Sequence, residues 1–151
     1  MSTIRHLSVP AHFEQLTRIT TFVIEAAQAV GFDRQQLDRI ELAVDEACSN
    51  IIEHAYAGSN GKILIEVETV RQHFIKLVFT DTGKAFEPNA VPAYIPCTPT
   101  TNANDLKVGG LGLHLMRQTM DEVCFEFNVP STHTANGYTG VFNRLTMMKR
   151  L

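Results

Sequence analysis

Apolar and polar residues recur with two different periods along this 151-residue chain, and the switches between them mark its elements. Residues 4–9 read as a first strand, closed by Pro10. From 11 to 31 the spacing becomes helical. Phe13, Leu16, Thr20, Val23, Ile24 and Ala27 form one row, Ile19, Phe22, Ala26 and Val30 a second, and Gly31 is the stop. So broad an apolar surface is either a helix buried in the core or a face for self-association or a partner. Asp33 is suited to cap the next helix, which runs to about residue 56 before Gly58-Ser-Asn-Gly61 breaks it. Its core stripe is Leu37, Ile40, Val44, Ala47, Cys48, Ile51 and Ala55. Residues 62–69 alternate, with Ile63, Ile65 and Val67 on one side and Glu66 and Glu68 on the other. Residues 74–80 alternate again, so a hairpin around Arg71-Gln72 is expected.

The pattern then breaks. Between Asp81 and Gly109 there are four prolines, at 88, 92, 96 and 99, and almost no periodicity. A structureless segment of this length inside a compact domain is usually a functional lid or a linker. Gly109-Gly-Leu-Gly112 opens a short helix to about Met120, residues 123–129 form a strand, and residues 137–149 a final strand or bent pair. The order β-α-α-β-β-lid-α-β-β predicts an α+β, two-layer α/β sandwich: a mixed, mostly antiparallel sheet with helices on one face. Nothing marks an internal boundary, so one domain over residues 1–151 is expected, with a lid at about 87–109.

Composition narrows the classes. At 44% hydrophobic and 19% charged residues, the chain can bury a core and does not read as disordered. A formal charge of -3 argues against non-specific binding to a nucleic-acid backbone. No apolar run approaches a membrane span, and the first ten residues hold no signal-peptide stretch, so a cytoplasmic protein is expected. Cys48, Cys97 and Cys124 are odd in number and widely spaced, which disfavours zinc or a disulfide framework; buried, reduced thiols are the reading for Cys48 and Cys124.

Three constellations offer chemistry. Glu46, Asn50 and His54 lie at i, i+4 and i+8 on the second helix and fall in one row, with His54 nearest the apolar stripe. A carboxylate one turn from a carboxamide suits a metal-phosphate site, since the carboxamide oxygen ligates Mg²⁺ and the carboxylate handles a proton. Such a pair is also what a solvated helix face looks like. Asp81-Thr-Gly83, at a strand end, is either a turn or an acceptor for an exocyclic amine such as adenine's, with Gly83 allowing close approach. Gly109-Gly110-Leu111-Gly112-Leu113 opens a helix, where free amides and the helix dipole favour an anion, or it is a glycine-rich entry with no ligand. It is neither a Walker A loop nor a Rossmann fingerprint.

In order and setting, these three resemble the N, G1 and G2 boxes of the GHKL (histidine kinase-like) ATPase superfamily. The resemblance is closest to the anti-sigma factor serine-protein kinases of bacterial partner-switching systems. It is carried by Glu41-Leu-Ala-Val-Asp-Glu46-Ala-Cys-Ser-Asn50-Ile-Ile-Glu-His-Ala-Tyr56, by Asp81-Thr-Gly83-Lys-Ala-Phe86-Glu-Pro88, and by Gly109-Gly-Leu-Gly-Leu-His-Leu-Met116 with Met120-Asp-Glu-Val123. It runs from the first strand to Asn143-Arg-Leu-Thr146, while residues 89–106 align with nothing in the family.

The resemblance implies a role for each position. Glu46 is the general base or water-positioning carboxylate, and Asn50 the Mg²⁺ ligand. Asp81 binds the adenine amine in a pocket shaped by Gly83. Gly110, Leu111, Gly112 and Leu113 cradle the phosphates of ATP, and Thr146 supports the adenine site. His54 is given a structural role and Lys107 a solvated one.

The activity implied is that of an ATP-dependent protein serine/threonine kinase acting as an anti-sigma factor. It would phosphorylate a STAS-type anti-anti-sigma protein, bind a sigma factor and form a homodimer. A non-enzymatic alternative is an ATP-gated module that sequesters a regulatory partner. A histidine-kinase catalytic domain is a third reading. It would need a phosphoacceptor-histidine domain upstream, where only nine residues precede Pro10. It survives only if a separate chain supplies the histidine, and the target is expected to be another protein.

Overall fold

The structure, a computed structural model, describes residues 1–57, 59–83, 94–99, 111–130 and 140–151, and of 94–99 and 111–113 the backbone alone. Strand β1 (Ser2–Pro10) leads through a 3-10 turn (Phe13–Gln15) into helix α1 (Leu16–Val30), then α2 (Arg34–Asn50), which continues as a π-helical turn (Ile51–Ala55). The hairpin β2 (Lys62–Val70) and β3 (Phe74–Asp81) follows. After it come β4 (Tyr94–Pro99), α3 (Leu111–Thr119), β5 (Glu122–Pro130) and β6 (Val141–Arg150).

The strands make one six-stranded sheet in the order β1-β2-β3-β6-β5-β4. All five pairings among the described strands are antiparallel, in keeping with the mostly antiparallel sheet expected. β4 is a correction, because a strand lies within the segment read as an aperiodic lid. Pro96 and Pro99 disguised it. Both are tolerated because β4 is an edge strand, where a missing N–H need not break a ladder on both sides. The last segment is one strand, not a bent pair.

Period-2 burial gives the sheet two unlike faces. Ile63, Ile65 and Val67 of β2, Ile75, Leu77 and Phe79 of β3, and Leu145 and Met147 of β6 are buried. Here α1 packs on β2 and β3, α3 on β5, and α2 on both other helices. The other face is uncovered among the described residues and carries cross-strand charge pairs. Arg144 grips Glu126 with two bonds of 2.8 and 2.9 Å, and Arg150 reaches Glu122 at 2.9 Å.

Local signals explain the helices. Asp33 caps α2 in a reciprocal capping box: its side chain accepts from the Gln36 amide at 2.8 Å, and the Gln36 side chain accepts from the Asp33 amide at 3.1 Å. Gly31 ends α1 with φ 114°, a conformation that favours glycine. On α1, Ile19, Val23, Ala26, Ala27 and Val30 are buried, so the core reading accounts for members of both rows. Phe13 stays half-exposed, and Phe22 is partly covered by the Arg5 guanidinium, 4.8 Å from its ring centre. The hairpin turn is tied to the end of α1 by a bond of 2.8 Å from the Gln72 amide to the Val30 carbonyl.

Among the described residues no helix is long and apolar enough to cross a membrane. Cys48 is a free, buried thiol that burial, and then the Asp45 charge, push far above its ordinary value, so it is no nucleophile. Cys124 corrects the cysteine reading, since it is disulfide-bonded rather than reduced.

Candidate functional site

Asp81 is the last residue of β3, and the sheet's alternation puts it on the helix-covered side, 6% exposed. Its Oδ1 accepts two hydrogen bonds, from the Gly83 amide at 3.0 Å and from Asn143 Nδ2 at 2.9 Å. Burial holds this carboxyl above its ordinary value, against the pull of those two donors. The chain turns at Gly83 because nothing larger fits. A Cβ there would lie 2.3 Å from the Ala55 carbonyl oxygen and 2.6 Å from its carbonyl carbon. Ala55 closes the π-helical turn that follows α2, so the second helix and the end of β3 meet backbone to backbone at this point.

Asn50, the final residue of α2, lines a small cavity together with Ala47, Asp81, Phe125, Phe127 and Asn143. The cavity holds about 20 Å³, room for a water molecule, so a purine ring would require it to widen. The structure thus brings Asn50, Asp81 and Gly83 together. Glu46 is half-buried one turn before Asn50 on α2. His54 departs from the expected row. The π-helical turn inserts extra backbone after Asn50, and the His54 side chain is 57% exposed rather than nearest the core.

Asn50 and Glu46 present the hard oxygen donors that Mg²⁺ prefers. Among the described residues no three His, Cys, Asp or Glu side chains are grouped to hold a metal by themselves. A Mg²⁺ ion here would be shared with ligand phosphates, as that ion commonly is.

Leu111 begins α3, and Gly112 and Leu113 lie in its first turn, where backbone amides lack helical partners. Gly110, Lys107 and lid residues 87–93 and 100–109 lie outside the described residues. Thr146 is not brought to the site. On β6, Asn143, Leu145, Met147 and Lys149 point to the helices, so Thr146 faces the opposite side, in a broad hollow with Val78, Thr80 and Arg144. Thr146 does not line the cavity at Asp81. Parity could have shown this, because a residue between apolar Leu145 and Met147 must face the other way.

Two residues without a sequence-assigned role hold the site together. Asn143, 5% exposed, donates from Nδ2 to Asp81 and also to the Gly83 carbonyl at 2.9 Å. Tyr56 donates its hydroxyl to the Lys62 carbonyl at 2.6 Å and accepts from the Thr82 amide at 3.0 Å, pinning the start of β2 to the turn after β3. Its ring lies over Gly61, where a Cβ would come within 2.1 Å of it. Tyr56 was legible only as the end of the predicted helix and of the first motif, with no role attached.

Residues 9–137 match the histidine kinase-like ATPase domain family. The serine-protein kinase RsbW of Bacillus subtilis (strain 168) is 31% identical over 119 residues, which is 78% of this chain and 74% of that protein. RsbW of Halalkalibacterium halodurans is 30% identical over 118 residues, 78% of this chain and 72% of that protein. Among solved structures, the histidine kinase domain of the Erythrobacter litoralis EL346 blue-light activated histidine kinase aligns over 92% of this chain and 61% of its own. That match has a TM-score of 0.43 and 18% identity, too distant to carry a structural argument. With residues 9–137 of its 151 matched, the chain belongs to the histidine kinase-like ATPase domain family.

Proposed function

We propose that this protein is an ATP-dependent serine/threonine kinase that acts as an anti-sigma factor, with residues 1–151 working as one domain. The observation that carries the reading is the convergence of Asn50 and Asp81 on one cavity, with Gly83 packed too tightly against Ala55 for any side chain. The RsbW relatives, named serine-protein kinases, give the reaction class. Its substrate would be a hydroxyl on a STAS-type anti-anti-sigma protein and its other partner a sigma factor, with the kinase acting as a homodimer in the cytoplasm.

In this reading Asp81 accepts the exocyclic amine of adenine. The Asn50 carboxamide oxygen ligates Mg²⁺, and backbone amides at Gly110, Leu111, Gly112 and Leu113 hold the phosphates at the positive end of α3. Bound Mg²⁺ supplies charge neutralisation at the phosphoryl oxygens. Glu46 takes the proton of the attacking hydroxyl as the phosphoryl group passes to that oxygen and ADP departs. Little covalent chemistry is asked of the chain, and positioning does most of the work.

Glu46→Ala tests the assignment. The variant is expected to keep its affinity for Mg-ATP and to lose about 10²–10⁴-fold in transfer of labelled phosphate to a co-purified STAS protein. Full transfer by the variant would remove Glu46 from the mechanism. ATP binding by the wild type without transfer would leave the ATP-gated binding module as the function, and no ATP binding would end the nucleotide reading.

A further inference from the structure

We propose that Asn143 is the positioning residue of the base-recognising aspartate: its carboxamide, held in one orientation by a bulge in β5, fixes which oxygen of Asp81 is left for a ligand amine. This inference rests on the nucleotide reading above and deepens it.

The chain of contacts begins at the bulge. The β5–β6 register shifts between Glu126 and Val129, and Asn128 adopts φ 52°, in the left-handed region. Its amide leaves the ladder and donates instead to Asn143 Oδ1 at 3.1 Å. That bond settles the orientation of the Asn143 carboxamide. The Asn128 amide requires an acceptor, whereas the Asp81 carboxylate and the Gly83 carbonyl both require a donor. All three neighbours therefore agree on the same placement of oxygen and nitrogen. Both Nδ2 hydrogens are used, one on Asp81 Oδ1 and one on the Gly83 carbonyl, each at 2.9 Å.

The result is a division of labour within one carboxylate. Oδ1 is occupied by Asn143 and by the Gly83 amide, and no described residue donates to Oδ2. Asp81 also lines the cavity. A carboxylate with one oxygen fixed cannot rotate to meet whatever enters; it offers Oδ2 in a set direction. Such an acceptor selects a donor, which adenine has at its 6-position and a 6-oxo purine lacks. A free carboxylate would discriminate less, because it could turn away from the mismatched oxygen.

The test compares Mg-ATP with Mg-ITP, whose base carries an oxygen in place of the amine, by titration calorimetry on the wild type and Asn143→Ser. The wild type is expected to favour ATP by about a hundredfold. Asn143→Ser should weaken ATP by roughly tenfold and leave ITP nearly unchanged, so that the ratio collapses by that factor. A merely structural role would weaken both nucleotides together; an unchanged ratio in the folded variant overturns the proposal. A wild type that binds both equally overturns it as well. If neither nucleotide binds, the nucleotide reading itself fails, and the proposal with it.

Should Asn143→Ser not fold, Asn143→Asp keeps the volume and replaces the donor with an acceptor, and the ratio should fall at least as far. The wild type offers an independent readout in its Asn143 side-chain amide signals by NMR. These should exchange slowly and shift with ATP but not with ITP, whereas rapid exchange in the ATP complex counts against the clamp.

Discussion

Two buried polar clusters sit about 20 Å apart along β6, both on its helix-facing side, and they use their hydrogen bonds differently. Near the end of the strand, Lys149 is 7% exposed and donates from Nζ to the Thr119 carbonyl at 2.8 Å. It closes the end of α3, a place that favours a cation. Burial lowers its pKa below the ordinary value. Near the start of the strand, Asn143 holds Asp81, whose second oxygen has no described donor and whose side chain faces a cavity. The first cluster finishes a helix. In the second, no described residue donates to the other oxygen of Asp81. Burial alone does not separate the two; Lys149 is spent on a helix end, whereas Asp81 lines a cavity.

Three substitutions can break or sharpen that contrast. Gly83→Ala has the largest expected effect, because its Cβ would strike the Ala55 carbonyl, backbone that cannot swing aside. It should cost about 3 kcal/mol in urea unfolding and abolish nucleotide binding. A variant as stable as the wild type would show the contact to be slack.

Lys149→Ala should come next, losing about 2 kcal/mol through the unpaired Thr119 carbonyl and the lost packing of the lysine stem. Nucleotide affinity should stay at the wild-type value. A large loss of affinity would mean that the two clusters are coupled.

Asp81→Asn should do the reverse and has the smallest effect on stability, within about 1 kcal/mol at neutral pH, because an acceptor oxygen remains for Asn143. Base discrimination should vanish. The folded state raises the Asp81 pKa, so the stability linked to this group is fully present below its unfolded value of about 3.9 and is lost as pH rises through the folded value. Acidification should therefore favour the wild type relative to Asp81→Asn. Chemical denaturation at several pH values reads this directly, and the opposite trend would place another charge beside Asp81.

The contrast also shows what the sequence could express. The Ile63, Ile65 and Val67 alternation, the Asp33 cap and the hairpin turn depend on neighbours a few residues away, and they were legible. So was the pairing of Asp81 with Gly83, two positions apart. Asn143 was not. In Phe142-Asn143-Arg144 it is one polar residue among others, and its partners Asp81 and Asn128 lie 62 and 15 positions away. Thr146 was chosen by motif, although strand parity opposed it. The Glu46, Asn50 and His54 row assumed an unbroken 3.6-residue period, which the π-helical turn at Ile51–Ala55 does not keep. The strand at Tyr94–Pro99 was hidden because prolines suppress the alternation that identifies strands.

The strand order has a consequence in time. β6 comes last in sequence, yet it lies between β3 and β5 in the middle of the sheet. Before it inserts, the hairpin that bears Asp81 and the strand that bears Asn128 share no ladder, and Asn143 is not there to join them. A chain in that half-paired state has most of its local structure and no Asn143–Asp81 bond. Such late, non-local pairing is slow. Because a nucleotide would recognise only the completed sheet, its presence would draw the population past the half-paired stage, and binding competence would mark the moment β6 is seated.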